Sequence, residues 1–314
     1  MDVVRGLEQL PIDAEATAVT IGFFDGVHLG HQAVFARTVQ TARDGGLVPV
    51  AVTFDRHPRE ILTPGREPRQ LTTLSRKAEL IAALGIQALV VLVFDEELSR
   101  VPADEFVKQV LVEGLRARRI VVGANFTFGH RALGTVRTLE EMGGALGFST
   151  EAVPLRELDG RPLSSTTIRQ ALSEGDLEWP RQALGRRYAV DGRVGSGAGR
   201  GATLGYPTAN LDTAPKILLP DQGVYAGRAF VAGGDRAAAI NIGTNPTFGV
   251  EPLHLEAFLL DFQEDIRGEA MTIEFWQRLR EEVRFPSAEA LTAQIALDVQ
   301  RTRAVVGRAG PAER

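Results

Sequence analysis

The sequence predicts an α/β domain with a doubly wound parallel sheet, followed by a small antiparallel β-barrel with a closing helix. Two observations predict this arrangement. In the first half, short β-branched runs alternate with amphipathic helical stretches, a pattern typical of a parallel sheet covered by helices on both faces. After Pro180 the chain becomes rich in glycine and in short strand-like runs, which favours an antiparallel barrel. We place the boundary where the pattern changes, with domains of 1–185 and 186–314.

The composition of the 314 residues narrows the class of protein. With 44% hydrophobic and 24% charged residues, the chain is an ordinary soluble globular protein rather than a disordered one. No apolar run approaches the ~20 residues of a membrane span, and the first residues lack the features of a signal peptide, so we expect a cytoplasmic protein with no membrane partner. The net charge of −5 argues against broad nucleic-acid binding, and the absence of cysteine excludes disulfides and thiol catalysis.

Strands and helices alternate through the first domain. The predicted strands are residues 18–21, 48–54, 88–94, 120–123 and 150–153, and the predicted helices lie near 29–43, 74–84, 102–115 and 136–146. Ligands of such sheets bind beyond the carboxyl ends of the strands. Polar or glycine-rich residues follow the first, second and fourth strands, so we expect the site of this domain at these ends.

The first strand runs directly into the segment Gly22-Phe23-Phe24-Asp25-Gly26-Val27-His28-Leu29-Gly30-His31, which opens the first helix. At such a turn, free backbone N–H groups and the positive end of the helix dipole favour an anion. The glycines allow a phosphate to approach the backbone, and two histidines three residues apart can hydrogen-bond the same phosphate. The predicted phosphate-binding residues are Gly22, Phe24, Asp25, Gly26 and Gly30, with His28 and His31 as catalytic residues.

The alternative is that this segment is only a glycine-rich turn with capping or solvated histidines. A strand, three glycines, an aspartate and two of the chain's five histidines converge within about ten residues, which favours a nucleotide site. The pattern resembles the histidine-x-glycine-histidine signature of the nucleotidyltransferase superfamily. It does not resemble a P-loop, because no Gly-Lys pair occurs here.

Hydroxyl-bearing residues precede another helical run, in the segment Leu163-Ser164-Ser165-Thr166-Thr167-Ile168-Arg169. These hydroxyls alone fit an N-cap. Arg169 adds a charge-assisted phosphate donor to the same helix N-terminus. A polyphosphate spanning the sheet would then be held at one end by the two histidines and at the other by Ser165, Thr166 and Arg169.

In the second domain, two segments carry candidate functional groups. The predicted strands are residues 188–194, 225–231, 237–242, 253–260 and 271–275, with a final helix at 287–303 and a disordered tail at 307–314. A glycine-dense stretch, 195–210, ends in Thr208-Ala209-Asn210; in an extended strand the hydroxyl and the amide lie on one side, where they can hold Mg²⁺ and a phosphate. Glu256 stands in an otherwise apolar strand, as a surface residue, as the partner of an arginine, or as a general base for a hydroxyl.

In their order along the chain, these segments resemble the bacterial bifunctional riboflavin kinase/FMN adenylyltransferase family, also called FAD synthetases. The segments that carry the resemblance are residues 22–31, 123–129, 164–169, 205–210, 223–227 and 241–247. The last three resemble riboflavin kinases specifically. The resemblance implies that the first domain transfers AMP from ATP to FMN and that the barrel phosphorylates riboflavin, with Mg²⁺ and ATP.

For the first domain, the resemblance implies roles for residues that match the family's segments. His28 and His31 match residues that stabilise the ATP phosphates as pyrophosphate leaves, and Asn125 matches a polar contact to the substrates. Ser165, Thr166 and Arg169 match the second phosphate grip. Phe126 and Phe128 either form an apolar wall for the isoalloxazine or pack in the core.

For the barrel, the resemblance implies that Thr208 and Asn210 hold Mg–ATP, within the same nucleotide-binding segment as Gly205, and that Glu256 is the catalytic base. Phe258 stands where the family often has a histidine. Two other functions stay open at this point: a single-activity nucleotidyltransferase with a structural barrel, and a flavin-binding sensor or carrier without turnover. Residues 207–210 together with Glu256 discriminate against the first, because a structural barrel needs neither, and an assay of flavin conversion with riboflavin, ATP and Mg²⁺ separates all three.

Overall fold

The computed structural model describes residues 1–7, 15–196, 200–244 and 253–307. The chain divides into two compact units, Met1–Ser165 and Thr166–Arg314. This division lies before the predicted boundary at 185/186, which stays a prediction. Parts of three predicted segments lie outside the described residues: 197–199 of the glycine-dense stretch, 245–247 of the last kinase segment, and 308–314 of the tail.

The first unit is built on a six-stranded parallel sheet with the strand order β1-β4-β3-β2-β5-β8. Its strands are β1 (Asp2–Arg5), β2 (Thr17–Ile21), β3 (Val48–Phe54), β4 (Ala88–Leu92), β5 (Ala117–Gly123) and β8 (Ser149–Val153), and two short hairpins pair β6 (Thr127–Phe128) with β7 (Gly134–Thr135) and β9 (Glu157–Leu158) with β10 (Arg161–Pro162). Because β3, β2 and β5 are parallel neighbours, the segments that follow them start at one edge of the sheet. The predicted site segments therefore share that edge.

Helices cover both faces of this sheet. They are α1 (Leu29–Gly45), α2 (Arg59–Leu62), α3 (Leu74–Ala83), α4 (Glu96–Arg100), α5 (Ala103–Phe106) and α6 (Val136–Leu146), with a π-helical stretch at Val107–Gly114 and 3-10 turns at Asp25–Val27 and His130–Ala132. Val50 and Val52 join one buried apolar cluster with Leu111, whereas Ala51 joins a second cluster with Phe35. Alternate residues of a strand point to opposite faces, so each face of the sheet has its own core. The predicted doubly wound parallel sheet is confirmed.

The predicted strands and helices of the first unit are present, with two main differences. Strand β1 was not predicted; it pairs with β4 at the edge of the sheet, and because only Val4 in it is buried, it produces no apolar run. The helix predicted at 102–115 is divided between α5 and π-helical turns, in which the Leu115 N–H donates to the Val110 carbonyl at 3.0 Å.

The second unit is a closed antiparallel barrel with the strand order β11-β12-β15-β14-β13-β16. Its strands are β11 (Ala189–Gly195), β12 (Ala209–Thr213), β13 (Gly223–Val231), β14 (Gly234–Gly243), β15 (His254–Leu259) and β16 (Ala270–Arg280), and its helices are α7 (Ser165–Ser173), α8 (Glu178–Leu184), α9 (Arg200–Thr203) and the closing helix α10 (Ala288–Gly307). Tyr225, Ile273 and Phe275 are fully buried in its core. The predicted barrel with a closing helix is confirmed.

Two strands of the barrel differ from the prediction. Strand β12 was predicted only as an extended segment, because its half-buried and polar residues form no apolar run. Strand β16 continues to Arg280 rather than ending at residue 275. Within the described ranges, no helix is both long enough and apolar enough to cross a membrane.

Candidate active sites

The segment 22–31 connects β2 to α1 through strained backbone. Phe24, Gly26 and Val27 have left-handed φ angles of 52°, 78° and 43°. This conformation costs energy for a phenylalanine and more for a β-branched valine, so the surrounding contacts must hold it. Non-glycine residues held in this way are concentrated at ligand sites, which makes the turn a candidate site on its backbone alone.

His28 and His31 lie in contact at the start of α1. His28 is the N-cap residue, and the His31 N–H donates to its Nδ1 at 3.4 Å. The two imidazoles are stacked, with ring centroids 3.6 Å apart. Because Nδ1 of His28 accepts a hydrogen bond, the proton of its neutral ring is on Nε2. The structure thus brings the two predicted catalytic histidines together at the positive end of the α1 dipole.

His31 is in an environment that disfavours its protonated form. Burial lowers the pKa of His31 well below its ordinary value of 6.5, and the neighbouring His28 and Lys77 lower it further. Within the described part of the chain, Nδ1 of His31 is enclosed without a hydrogen-bond partner, so a protonated ring would bury an unpaired donor. His31 is therefore neutral near pH 7 and acts as a hydrogen-bonding group rather than as a cation.

Asp25, predicted as a phosphate-binding residue, directs its carboxylate into the protein. The side chain is buried, and its oxygens accept hydrogen bonds from the Leu71 N–H at 2.9 Å and from the Thr72 N–H at 3.2 Å. The Thr72 hydroxyl in turn accepts from the Gly26 N–H at 3.1 Å. The Ser165 hydroxyl donates to the Asp25 carbonyl at 2.9 Å. Asp25 therefore ties the turn to the segment that precedes α3.

The glycines of the turn make room for aromatic rings as well as backbone. A Cβ on Gly22 would lie 2.8 Å from the Phe24 ring, and a Cβ on Gly30 would lie 3.0 Å from the imidazole of His28. Phe24 contacts His31 edge to face, with centroids 5.3 Å apart. The glycine spacing therefore fixes where the rings of the turn pack, in addition to the phosphate access that the sequence predicts.

Lys77 is a residue of this site that sequence reasoning missed. It lies on α3, is 2% exposed, and its Nζ donates to the Phe23 carbonyl at 2.6 Å. Burial lowers its pKa to about 8, while the Asp25 carboxylate opposes that shift. A signal was available, because Leu74, Lys77 and Ile81 follow the helical spacing of a buried face, on which a lysine is rare.

The predicted flavin wall and its neighbour lie beyond the end of β5. Asn125 is exposed in the turn after the strand. Phe126 and Phe128 stack at a centroid distance of 5.5 Å, and Phe128 is buried and packs on Phe106. Phe128 thus belongs to the apolar core, as the packing alternative requires, whereas Phe126 is only partly buried.

The predicted second phosphate-binding group, Ser165, Thr166 and Arg169, begins where the two compact units divide along the chain. Ser165 starts α7 and bonds the turn through Asp25, as described above. Thr166 is exposed and Arg169 is partly buried on the same helix, whose inner side is formed by Ile168 and Leu172. All three grip residues therefore lie on the first turns of one helix.

In the barrel, Glu256 on β15 is in contact with Thr208, which immediately precedes the neighbouring strand β12. The Thr208 hydroxyl donates to a Glu256 carboxylate oxygen at 3.2 Å, and Asn210 is the register partner of Glu256. Leu255 and Ala257 are buried, so the alternation of β15 places Glu256 on its other face, with 22% of its side chain exposed. His254, which sequence reasoning missed, has its Nε2 3.6 Å from the same carboxylate; its spacing of two residues from Glu256 on a strand was the available signal.

A cavity of about 380 Å³ opens beside Thr208. Apolar residues such as Val194, Leu259 and Phe262 line it, together with the polar and charged residues Gln263, Glu264, Asp265 and Arg267. Gly205, in the preceding loop, has a left-handed φ of 85° that favours glycine. A mostly apolar cleft with a few polar groups suits a ring system that carries a polar chain.

A parallel sheet with stacked histidines at a strand-to-helix turn, joined to a barrel with a carboxylate beside a hydroxyl, is typical of a two-domain enzyme that transfers phosphate groups. The family model described as FAD synthetase matches residues 10–167, and the model described as riboflavin kinase matches residues 184–306. The chain belongs to the bifunctional riboflavin kinase/FMN adenylyltransferase family.

Similar proteins match over nearly the whole chain. A bifunctional riboflavin kinase/FMN adenylyltransferase from Pseudomonas fluorescens is 39% identical over 97% of this chain and 98% of that protein. Proteins of the same description from Bacillus subtilis and Escherichia coli K12 are 37% and 33% identical, over 90% and 99% of this chain and 90% and 100% of those proteins. A crystal structure described as a macrolide-efflux protein from Streptococcus pneumoniae matches with a TM-score of 0.85 and 29% identity, over 96% of this chain and 99% of that one.

The two activities divide between the domains. The C-terminal domain phosphorylates riboflavin to FMN with ATP, and the N-terminal domain adenylylates FMN to FAD with release of pyrophosphate. Riboflavin, FMN and ATP are therefore the substrates, and the predicted two-step flavin synthesis is confirmed. The single-activity alternative fails, because the barrel matches a kinase family of its own.

Proposed function

We propose that AMP is transferred to FMN at the turn 22–31 and that riboflavin is phosphorylated beside Glu256. The observation that supports the first assignment is the pair of stacked imidazoles at the N-terminus of α1, at the carboxyl edge of the sheet. The contact between Thr208 and Glu256, beside an apolar cavity, supports the second.

At the first site, an FMN phosphate oxygen attacks the α-phosphorus of ATP, and pyrophosphate leaves. The attacking oxygen is already ionised near neutral pH, so the step needs stabilised charge rather than a base. His28 and His31 donate hydrogen bonds to the departing phosphates as neutral rings. The N-terminus of α1 adds its positive dipole end to the same phosphates.

Other residues of the first domain position the two substrates. Ser165, Thr166 and Arg169 hold phosphate at the start of α7, where the helix N-terminus and the guanidinium favour an anion. Asn125 contacts substrate from the exposed turn after β5, and Phe126 is the more accessible of the two phenylalanines proposed for the flavin.

At the second site, the nucleophile is a neutral ribityl hydroxyl, which benefits from a base. The Glu256 carboxylate accepts the hydroxyl proton while the oxygen attacks the γ-phosphorus of ATP, the bond from that phosphorus to the bridging oxygen breaks, and ADP leaves. The hydrogen bond from Thr208 holds one carboxylate oxygen in place, and the other lies 3.6 Å from His254 Nε2.

The donors at the second site fit Mg²⁺. The Thr208 hydroxyl donates a hydrogen bond to Glu256, so the lone pairs of its oxygen are available, and Asn210 supplies an amide oxygen at the position paired with Glu256. Mg²⁺ prefers oxygen ligands and keeps waters and substrate phosphates, so few protein oxygens are needed. When bound with ATP, Mg²⁺ would neutralise charge on the phosphates, and Gly205 lies in the loop adjoining these donors.

The cytoplasmic location of the protein stays a prediction.

The assignment of the two sites is tested by supplying the substrates of each reaction separately. Glu256→Gln and the double variant His28→Ala/His31→Ala are incubated with riboflavin and ATP, and separately with FMN and ATP, and the flavins are resolved by chromatography. Glu256→Gln should lower FMN formation by about 10² to 10⁴, the usual contribution of a general base, and leave FAD formation from FMN near normal. The histidine variant should lower FAD formation by about a hundredfold or more, while FMN still forms.

An exposed glutamate of the same unit gives the matched control, Glu281→Gln, which should affect neither step. If Glu256→Gln phosphorylates riboflavin at the parent rate, the base lies elsewhere. If the histidine variant adenylylates FMN normally, the segment 22–31 is only a structural turn.

A further inference from the structure

We propose that Lys77 is a positioning residue for adenylyl transfer, which holds the Phe23 carbonyl beneath the turn so that the rest of the turn faces the nucleotide. The inference rests on the proposed site at residues 22–31. It concerns a residue that lies on a different element, α3, and that acts through the backbone rather than on the substrate.

The first argument is the set of bonds to one carbonyl. Phe23 O accepts from Lys77 Nζ at 2.6 Å and from the Thr53 hydroxyl at 3.1 Å, so its direction is fixed by two donors from two other elements. In a trans peptide the carbonyl and the next N–H point in opposite directions. The N–H of Phe24 is therefore directed away from Lys77, toward the opposite side of the turn.

The second argument is that α3 is joined to the turn at two points. Asp25 accepts from the backbone N–H groups of Leu71 and Thr72, just before α3 begins, and Lys77 reaches back from the helix to Phe23. The left-handed residue Phe24 lies between Phe23 and Asp25. A strained residue of this kind persists only when its surroundings fix it, and these two attachments enclose it.

The third argument is the charge. The Lys77 ammonium lies over the face of the Phe23 ring, 3.9 Å from the centroid. Two ionisable groups interact with it electrostatically: Asp25 on the turn, which raises the pKa of Lys77, and His31 on α1, whose pKa Lys77 lowers. Burial is the main cause of the lowered pKa of His31, and the nearby ammonium of Lys77 adds to it because it disfavours a second positive charge. Loss of a proton from Lys77, at a pKa of about 8, removes the positive charge that strengthens its hydrogen bond to the Phe23 carbonyl.

The test combines three lysine variants with the pH profile of the parent chain. Lys77→Met keeps the length of the side chain and removes donor and charge, Lys77→Gln keeps a donor without charge, and the exposed Lys108→Met, whose lysine pairs with Asp104, is the matched control. We expect Lys77→Met to lower kcat for FAD formation from FMN at least tenfold, Lys77→Gln to lower it less, and Lys108→Met to change nothing. Riboflavin phosphorylation, measured in the same preparations, should stay at the parent rate.

The pH profile of the parent chain does not depend on whether a variant folds. FAD formation by the parent chain should decline above about pH 8 with a single apparent pKa, and this decline should be absent in Lys77→Gln. Normal FAD formation in folded Lys77→Met, or a parent profile that is flat from pH 7 to 9.5, overturns the proposal. If His28→Ala/His31→Ala also adenylylates normally, the proposed site itself fails; if only the lysine variants are normal, the site stands and Lys77 is not part of it.

Discussion

The two candidate active sites hold their functional groups in different ways. At the first, buried charged side chains bond to backbone: Asp25 and Lys77 are each 2% exposed, and together they hold a strained turn. At the second, the functional side chain projects from a strand, and Glu256 is paired with Asn210 on one side and with Asn241 on the other. The first site therefore depends on buried supporting residues, whereas the second depends on strand register.

This difference predicts how substitutions behave. Replacing a supporting residue of the first site lowers stability and activity together, because the lost bonds are buried. Replacing a side chain of the second site lowers activity alone, because the strand ladder is made by the backbone. The unfolding of the two units can be measured separately, because both tryptophans, Trp179 and Trp276, lie in the second unit. Tryptophan fluorescence follows that unit, and far-UV circular dichroism follows both.

The largest effect should come from Asp25→Ala. The change leaves two buried backbone N–H groups and a hydroxyl without their acceptor, which costs about 1–3 kcal/mol for each group, so the free energy of unfolding of the first unit should fall by about 3 kcal/mol or more. The circular dichroism transition should move to lower temperature while the fluorescence transition stays, and FMN should still form from riboflavin. A fluorescence transition that moves equally would contradict the comparison; exposed Asp104→Ala is the control.

A smaller effect, confined to rate, should follow Thr208→Val. The substitution keeps the shape and removes both the hydrogen bond to Glu256 and the hydroxyl proposed to hold Mg–ATP, so riboflavin phosphorylation should fall about ten- to a hundredfold. Both unfolding transitions and FAD formation from FMN should stay unchanged. Thr213→Val, farther along the same strand, serves as the control, and a lowered fluorescence transition in Thr208→Val would show that the hydroxyl supports the fold instead.

The smallest expected effect is a loss of stability of the first unit at acidic pH. The pKa of His31 is lowered in the folded chain, so below pH 6.5 the unfolded chain binds a proton that the folded ring does not, and stability falls as the pH falls. The decline is at most ~1.4 kcal/mol per pH unit. Urea unfolding followed by circular dichroism between about pH 7.5 and 5.5 should show a shallower decline in His31→Gln, and equal slopes in the two proteins would show that His31 titrates normally.

The sequence predicts what is local and misses what packing decides. Periodicity predicts most strands and helices, and the three-residue spacing predicts that His28 and His31 share a helix face. The contact of Lys77 with Phe23 joins residues 54 positions apart, and that of Asp25 with Leu71 joins residues 46 apart. No local pattern relates such residues, because the packing of α3 on the turn decides where their side chains end.

The barrel site could be predicted in part from the sequence. Thr208 and Glu256 each have a recognisable setting in the sequence, one beside a proline and the other in an apolar strand. They are 48 positions apart, and only the register of β12 and β15 brings them into contact. Residue chemistry was therefore predictable here, and the distance between the groups was not.

The alternation of β15 also limits how this enzyme can vary in length. Its side chains are buried at every second residue, and Glu256 lies between buried Leu255 and Ala257. A single-residue insertion or deletion within the strand would exchange the two faces and move the carboxylate into the barrel core, where an unpaired charge is very costly. Changes of two residues keep the face. The length of this strand can therefore change only by an even number of residues if Glu256 is to stay on the face opposite the core.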